Sequence, residues 1–287
     1  MVGLRYLRAK QKNSFVSFIS LVSIIGIALG VAALITVLSV MNGFQKEIRN
    51  KMIGVTAHMQ ITSASNSISD WQALGKLALQ NKNILNYAPY IDGQALVSFD
   101  GSVSGALIRG VDATYEPKVD DITQAIIAGS FASLNQESFN IVIGKDLAHQ
   151  LGAGIGDKIT LITPDGNVSP VGMTPRLKQF TITGLFDTHM QQYDSGLIFI
   201  GLKQAQILFK VPDSVTGVRL KVNDVLQTQS IKEQLYAALP SDLIVQDWMS
   251  QNQNYFSAVA LEKKMMFVIL SLIIAVAAFN LVSTLVM

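Results

Sequence analysis

The sequence predicts an α+β membrane protein in which two transmembrane helices flank one large polar region. Two charge-free apolar stretches, at about residues 15–41 and 265–287, are each longer than the roughly 18 residues that mark a membrane-spanning helix. Residues 42–264 between them alternate strand and helix signals, and this length of chain can bury a core of its own. We therefore expect a folded domain held on one side of a bilayer.

The first apolar stretch is too long for the core of a cleaved signal peptide, which spans about 7–15 residues, and no small-residue cleavage pattern follows it. Residues 15–41 are interpreted as a retained transmembrane helix that continues as a helix beyond the lipid. Basic residues within 1–14, a cytoplasmic or interfacial segment, favour an N-terminus inside and the large domain outside. Residues 265–287 lack a charged flank at their far end, which predicts an incomplete second helix of a truncated chain.

The composition excludes several classes of function. The chain has no cysteine, so it forms no disulfides and has no thiolate metal site. Its net charge of +2 is dispersed, which argues against a nucleic-acid partner. The side chains of the adjacent Asp120 and Asp121 are expected to diverge, and the pair is interpreted as a solvated turn or a helix start. The glycine-rich residues 152–158 are interpreted as a tight turn and not a phosphate loop. We predict no catalytic residue, no metal site and no bound cofactor, and hence no enzyme.

Apolar periodicity and turn residues predict the elements of the central region. The predicted strands are 55–62, 84–99, 103–111, 140–143, 158–162, 179–186, 197–200, 215–222 and 243–246. The predicted helices are 70–80, 145–151, 202–209, 225–239 and 249–264. Because βαβ patterns flank a strand-rich middle section, the simplest architecture is a subdomain of 42–99 and 213–264 with a mostly β subdomain, 100–212, inserted into it.

Residues 164–175 form an unusual segment with the sequence PDGNVSPVGMTP. Its three prolines and two glycines disfavour helix and sheet alike, which predicts a stiff, projecting loop. The loop carries Val168, Val171 and Met173, and Arg176 and Lys178 follow at its base. A binding loop and an indifferent surface loop both fit these residues.

Gly26 and Gly30 lie four residues apart within the first apolar stretch. Small residues at this spacing allow a second helix to approach closely. The alternative is a glycine pair that faces lipid, since glycine is common in membrane helices. We favour helix packing.

Five segments together resemble one family of membrane proteins. They are residues 3–8 (GLRYLR), 26–31 (GIALGV), 37–44 (VLSVMNGF), 262–266 (EKKMM) and 275–280 (AVAAFN). This pattern resembles the LolC/LolE-type membrane subunits of lipoprotein-releasing (Lol) ABC transporters, including the merged form called LolF. The wider MacB/FtsX superfamily shares the layout with looser sequence likeness.

The resemblance implies an inner-membrane, multi-pass protein with a MacB-like periplasmic domain. Its Porter subdomain would comprise 42–99 and 213–264, and its Sabre subdomain 100–212. It also implies a separate LolD-like ATPase dimer that uses ATP and Mg²⁺, and a second LolC/LolE-type membrane subunit, identical or homologous. Such complexes extract lipoproteins from membrane lipids and pass them to a LolA-like periplasmic chaperone.

The resemblance also implies roles for named residues. The chaperone-binding hook would be residues 164–175, with Pro164, Val168, Pro170, Val171, Gly172, Met173 and Pro175 as its site residues. Arg176 and Lys178 resemble the basic pad beside it, although Thr160 and Leu177 stand where the pattern tends to be polar or basic. A proline-rich hook favours the LolC or LolF type over LolE.

A pocket for the lipid anchor is expected at the outward ends of the membrane helices. Each buried CH₂ of an acyl chain contributes about 0.8 kcal/mol, so extraction needs an apolar receptor. We expect this receptor at Val37, Val40, Met41, Phe44, Met266 and Leu270. These side chains could equally be ordinary lipid-facing residues. The sequence also fits two alternative functions, which are a MacB-like efflux or mechanotransmission subunit and the periplasmic sensor domain of a two-span receptor.

Overall fold

A computed structural model describes residues 14–55, 57–169, 172–225 and 227–286. The chain forms two compact units, one with the described residues up to Arg49 and from Asn252 onwards, the other Asn50–Gln251. The helices are α1 (Ser14–Val55), α2 (Trp71–Ala78), α3 (Lys145–Leu151), α4 (Gln191–Asp194), α5 (Leu202–Phe209), α6 (Thr228–Ala238), α7 (Trp248–Gln251) and α8 (Gln253–Val286). The strands are β1 (Met59–Ser63), β2 (Ile84–Phe99), β3 (Ser102–Val111), β4 (Ile126–Gly129), β5 (Asn140–Gly144), β6 (Lys158–Ser169), β7 (Gly172–Phe186), β8 (Leu197–Gly201), β9 (Gly217–Val222) and β10 (Leu243–Asp247).

Two long helices contain the apolar stretches. In α1, residues 24–44 form the one described segment with the length and composition to cross a membrane, with a mean hydropathy of 2.6. As predicted, the helix continues beyond it and ends at Val55. The second stretch is helical within α8 up to Val286. Its role as a second crossing stays a prediction, and residues 1–13 and Met287 lie outside the described residues.

Six strands of the larger unit form a closed ring of pairings. The order is β2, β3, β8, β5, β7 and β6, and β6 pairs again with β2. Alternate residues of these strands point inward, as the period of a strand requires. The inward residues form a buried apolar core: Ala95, Val97, Ala106, Ile108, Ile141, Ile143, Ile159, Leu161, Phe180, Ile182, Ile198 and Ile200. Closure leaves these six strands without a free edge where they pair.

The strand β2 also belongs to a second group of strands. Its first part, Ile84–Tyr90, pairs with β9, and β9 is followed in space by β1 and then β10. Its second part, Tyr90–Phe99, pairs with β3 in the ring. The predicted subdomains therefore share one strand and lie in a single compact unit, so their boundaries stay a prediction.

Most predicted elements are confirmed, with differences at their ends. The helix predicted at 70–80 is α2, and Asp70 caps it by accepting a hydrogen bond from the Ala73 amide at 3.0 Å. The glycine-rich turn is confirmed, since Gly152 and Gly156 have positive φ angles of 72° and 96°. The predicted start of a strand at residue 55 was wrong, because α1 runs through Val55. The four-residue strand β4 was missed, since so short a segment shows no periodicity.

We predict that Gly144→Ala destabilises the larger unit, because a methyl group there would overlap the backbone carbonyl of Asp194. Overpacking of this kind costs about 1–3 kcal/mol. The melting temperature should fall by several degrees, measured by tryptophan fluorescence of the full chain in detergent. Gly105→Ala is the matched control, because no described heavy atom lies within 4 Å of a methyl group at that position. Equal melting temperatures for the two variants would contradict the packing described at Gly144.

Candidate functional site

The segment predicted as a loop is a β-hairpin, which corrects that prediction. Strand β6 extends to Ser169 and β7 begins at Gly172, with Val168 opposite Met173. The register shifts between Thr163 and Asn167, where the pairing is interrupted. Prolines are tolerated at such irregularities, because no ladder hydrogen bond from their nitrogen is required there. Pro164 and Pro175 therefore lie at one interruption of the ribbon and do not abolish the pairing.

The outer part of this hairpin, residues 163–169 and 172–176, is named the arm. The last residue of β6 that pairs with β2 is Ile162, opposite Leu96. β7 pairs with β5 only from Thr181 onwards. Among the described residues, the arm strands thus pair only with each other. Pro164 and Pro175 are exposed near its base, whereas Pro170 and Val171 lie outside the described residues.

Both residues of the predicted basic pad lie on one face of the hairpin. Residues directly opposite in an antiparallel pair share a face, so Arg176 and Lys178 lie on the face of Thr163 and Leu161. Arg176 Nη1 donates to the carbonyl oxygen of Leu208 at 3.2 Å, near the end of α5. Lys178 Nζ lies 3.9 Å from the centre of the Phe139 ring. Both cations have contacts within the chain, and their role in a pad stays a prediction.

The opposite face of the hairpin is apolar at the base of the arm. Leu177 is 65% exposed there, and Ile162 and Leu96 are aligned with it across neighbouring strands. A cleft of about 540 Å³ lies at this place. Its lining residues carry no charge: Gln94, Ala95, Leu96, Gly105, Ala106, Leu107, Ile162, Thr163, Pro164, Pro175 and Gly196. The sequence analysis missed this cleft, because its walls come from five separate stretches of chain.

The residues predicted for a lipid pocket are accessible to different degrees. Val37, Val40 and Phe44 on α1 are exposed, Val40 at 67%. The other three are half-buried: Met41 on α1, and Met266 and Leu270 on α8. Exposed apolar side chains suit either a pocket or a lipid-facing surface, and the pocket stays a prediction.

The two glycines predicted to pack helices differ from one another. A methyl group at Gly30 would lie 3.7 Å from Ile273 Cγ2 of α8, so the two helices are in contact there. At Gly26, no described heavy atom lies within 4 Å of such a methyl group. The close approach of the helices is therefore at Gly30.

A buried ionic cluster was missed by the sequence analysis. Asp120, interpreted from the sequence as part of a solvated turn, is 2% exposed and lies within 3.0 Å of the guanidinium of Arg219. Glu116 is fully buried and bonds to the same guanidinium group. The neighbouring Asp121 is exposed and lies 3.7 Å from Lys221. The expected divergence of the two aspartates is correct, but one of them points into the protein.

Comparison with known proteins gives one consistent family. The MacB-like periplasmic core domain matches residues 20–238. The transmembrane protein LolC of the lipoprotein-releasing system of Neisseria meningitidis serogroup B is 48% identical over 287 residues, which cover 100% of this chain and 69% of that protein. LolC of Xylella fastidiosa is 41% identical, with coverages of 100% and 69%. LolE of Haemophilus influenzae is 33% identical, with coverages of 100% and 70%.

Among solved structures, the periplasmic region of MacB from Actinobacillus actinomycetemcomitans is similar over 71% of this chain and 94% of that chain. The TM-score is 0.45 and the sequence identity 13%.

The chain is thus a membrane protein that carries a MacB-like periplasmic core domain. It belongs to the LolC/LolE family of lipoprotein-releasing system transmembrane proteins. The family predicted from the sequence is confirmed.

We predict that Gly30→Leu separates α1 from α8, because the larger side chain would overlap Ile273. Gly26→Leu is the matched control, with open space at the same kind of position. The measurement is the melting temperature of the full chain in detergent, followed by the helical signal in circular dichroism. It should fall by several degrees in Gly30→Leu and stay unchanged in Gly26→Leu. Equal melting temperatures for the two variants would show that Gly30 does not set the helix contact.

Proposed function

We propose that this chain is a membrane subunit of an ABC transporter that extracts outer-membrane-directed lipoproteins from the inner membrane. It passes them to a LolA-like periplasmic chaperone through the arm. Membership of the LolC/LolE family supports the transport of lipoproteins. The arm, whose strands pair only with each other among the described residues, supports the chaperone-binding role.

A two-stranded ribbon suits a segment that must enter a partner. Each strand satisfies backbone hydrogen-bonding groups of the other, so the ribbon carries fewer unpaired groups into an apolar environment than a loop would. The paired strands also restrict the backbone before binding, which reduces the entropy lost on association. Val168 and Met173, opposite each other in the ribbon, are the apolar residues we assign to the contact.

The chemistry of the cargo explains the need for energy input. Removing a lipid anchor from the bilayer costs about 0.8 kcal/mol per exposed CH₂, so spontaneous release of a multi-chain anchor is very slow. We assign ATP hydrolysis to a separate LolD-like ATPase dimer and the second half of the membrane complex to a LolC/LolE-type subunit. Val37, Val40, Met41, Phe44, Met266 and Leu270 are proposed to receive the anchor.

Photo-crosslinking amino acids at Val168, Val171 and Met173 should each capture the periplasmic chaperone. The matched control is the same amino acid at Val103, which is 59% exposed on β3, outside the arm. We expect crosslinks from the arm positions at least tenfold above the control, measured by immunoblot of the purified complex. Silence at all three arm positions would contradict the chaperone-binding role.

Val40→Asp and Phe44→Asp should reduce lipoprotein release by at least tenfold while ATP turnover continues. A carboxylate in an acyl-chain site would have to be desolvated, which costs several kcal/mol. Release is measured as transfer from proteoliposomes to added chaperone. Asn42→Asp is the control, because it introduces the same charge at an exposed position within one turn of these residues. Unaltered release in both test variants would place the lipid site elsewhere.

A further inference from the structure

The buried cluster of Glu116, Asp120 and Arg219 lies in the larger unit, beside a loop that contacts the last turn of α1, which is itself part of that unit. Glu116 lies in a short 3-10 helix, Glu116–Lys118, within the connection between β3 and β4. In this connection, the backbone amide of Asp121 donates to the carbonyl oxygen of Gly54 in the last turn of α1, at 3.0 Å. The same stretch of chain therefore supplies the buried carboxylates and holds the helix end.

The cluster has two carboxylates and one cation, and the neighbouring cation, Arg109, is already paired with Asp92. Arg219 Nη1 is shared between Glu116 and Asp120, and Arg109 makes two bonds of 2.8 and 2.9 Å to Asp92. Three carboxylates thus face two guanidinium groups. With every group ionised, the buried cluster would carry one net negative charge, which is costly in a low dielectric.

The hydrogen bonding within the cluster has a matching deficit. Glu116 Oε2 is buried without a hydrogen-bond donor among the described residues, and Asp120 Oδ2 has the 3.0 Å ionic contact with Arg219 Nη1 as its one described polar contact. Arg219 Nη2 is also buried without a described acceptor, so the single guanidinium does not pair with both carboxylates completely. Two ionised carboxylate oxygens cannot bond to each other, because neither carries a hydrogen. One proton held between these two carboxyl groups would remove the excess charge and provide the missing donor.

The electrostatic environment favours that proton. Burial raises the pKa of Glu116 to about 8. Arg219 opposes this rise, whereas repulsion from Asp120 and a hydrogen bond with Asp120 add to it. Burial and the nearby Asp92 carboxylate raise the pKa of Tyr90, so its phenol stays neutral. Burial lowers the pKa of His58, which keeps this imidazole neutral at pH 6.5 and above. Tyr193, near both arginines, also stays neutral because its burial raises its pKa.

We propose that Glu116 and Asp120 form a proton-binding site whose occupancy determines how firmly the loop of residues 112–126 holds the last turn of α1. With the proton bound, the cluster is neutral and the loop is fixed against Arg219. Loss of the proton leaves two carboxylates in repulsion and weakens the loop, and with it the bond from Asp121 to Gly54. This proton site makes the attachment of the helix respond to the pH around the domain, independently of any carrier or cargo.

The direction of the pH effect follows from the pKa of Glu116. The pKa of Glu116 is about 8 with the loop closed and takes the ordinary value of 4.5 with the loop open. Between pH 4.5 and pH 8, Glu116 is therefore protonated in the closed loop and ionised in the open loop. The closed state is thus fully stabilised below about pH 4.5 and loses that stability as the pH rises to about 8. His58 has the opposite sign, but it titrates below pH 6.5 and does not contribute above it.

Hydrogen exchange of the full chain in detergent tests the proposal between pH 6.5 and 9. We expect the protection factors of peptides from 112–126 and 50–58, corrected for intrinsic exchange, to fall about tenfold per pH unit and to level off near pH 8. This slope corresponds to the release of one proton on opening. A flat profile in the unmodified protein would overturn the proposal.

Two variants separate a proton site from a merely structural cluster. Glu116→Gln keeps the shape without a titrating group, so its protection should not change with pH in this window. Asp120→Asn removes the repulsion that raises the pKa of Glu116. The pH at which the protection factor levels off should therefore be lower in this variant. Asp121→Asn, the same change at the exposed neighbour, should keep the slope of the unmodified protein. Three results would each contradict the proposal. They are a protection factor that still falls with pH in Glu116→Gln, one that levels off at the same pH in Asp120→Asn as in the unmodified protein, and one that no longer falls with pH in Asp121→Asn.

Discussion

The pairing of β2 on both of its edges is the constraint on which the rest of the structure depends. Its second part closes the six-stranded ring between β3 and β6, and its first part continues into β9. Leu96 on this strand pairs with Ile162, the residue just before the arm. Asp92, on the same strand, holds Arg109 beside the ionic cluster. The strand therefore fixes the base of the arm and one wall of the buried cluster together.

The arm combines stiffness with independence from the ring. The arm strands are the outer parts of β6 and β7, whose inner parts are anchored in the core by the buried Ile159 and Phe180. The direction of the arm at its base is therefore set by these anchored strands. Beyond Ile162, the described strands of the arm pair only with each other, and Arg176 at its base also donates to the carbonyl oxygen of Leu208. The proposed contact with a carrier would use this outer part of the ribbon.

The buried cluster positions the loop after β3. Moving charges out of water is costly, and a buried ion pair often recovers little more than this cost. Among the described residues, Arg219 is the one cation in direct contact with Glu116 and Asp120, so these two carboxylates place the loop against β9. That loop also holds the end of α1 through Asp121. The loop that the cluster positions is thus the loop that contacts the last turn of α1.

The sequence by itself determined the elements and the family. The strands at 103–111 and 197–200 and the helix at 145–151 follow from local preferences that tertiary contacts did not override. The motifs of the membrane helices indicated the LolC/LolE family. Only the tertiary structure decided the closure of the ring, the uncharged cleft and the burial of Asp120, since each depends on residues far apart in the chain. Neighbouring residues such as Asp120 and Asp121 look equivalent in a sequence, and only packing against Arg219 distinguishes the buried one from the exposed one.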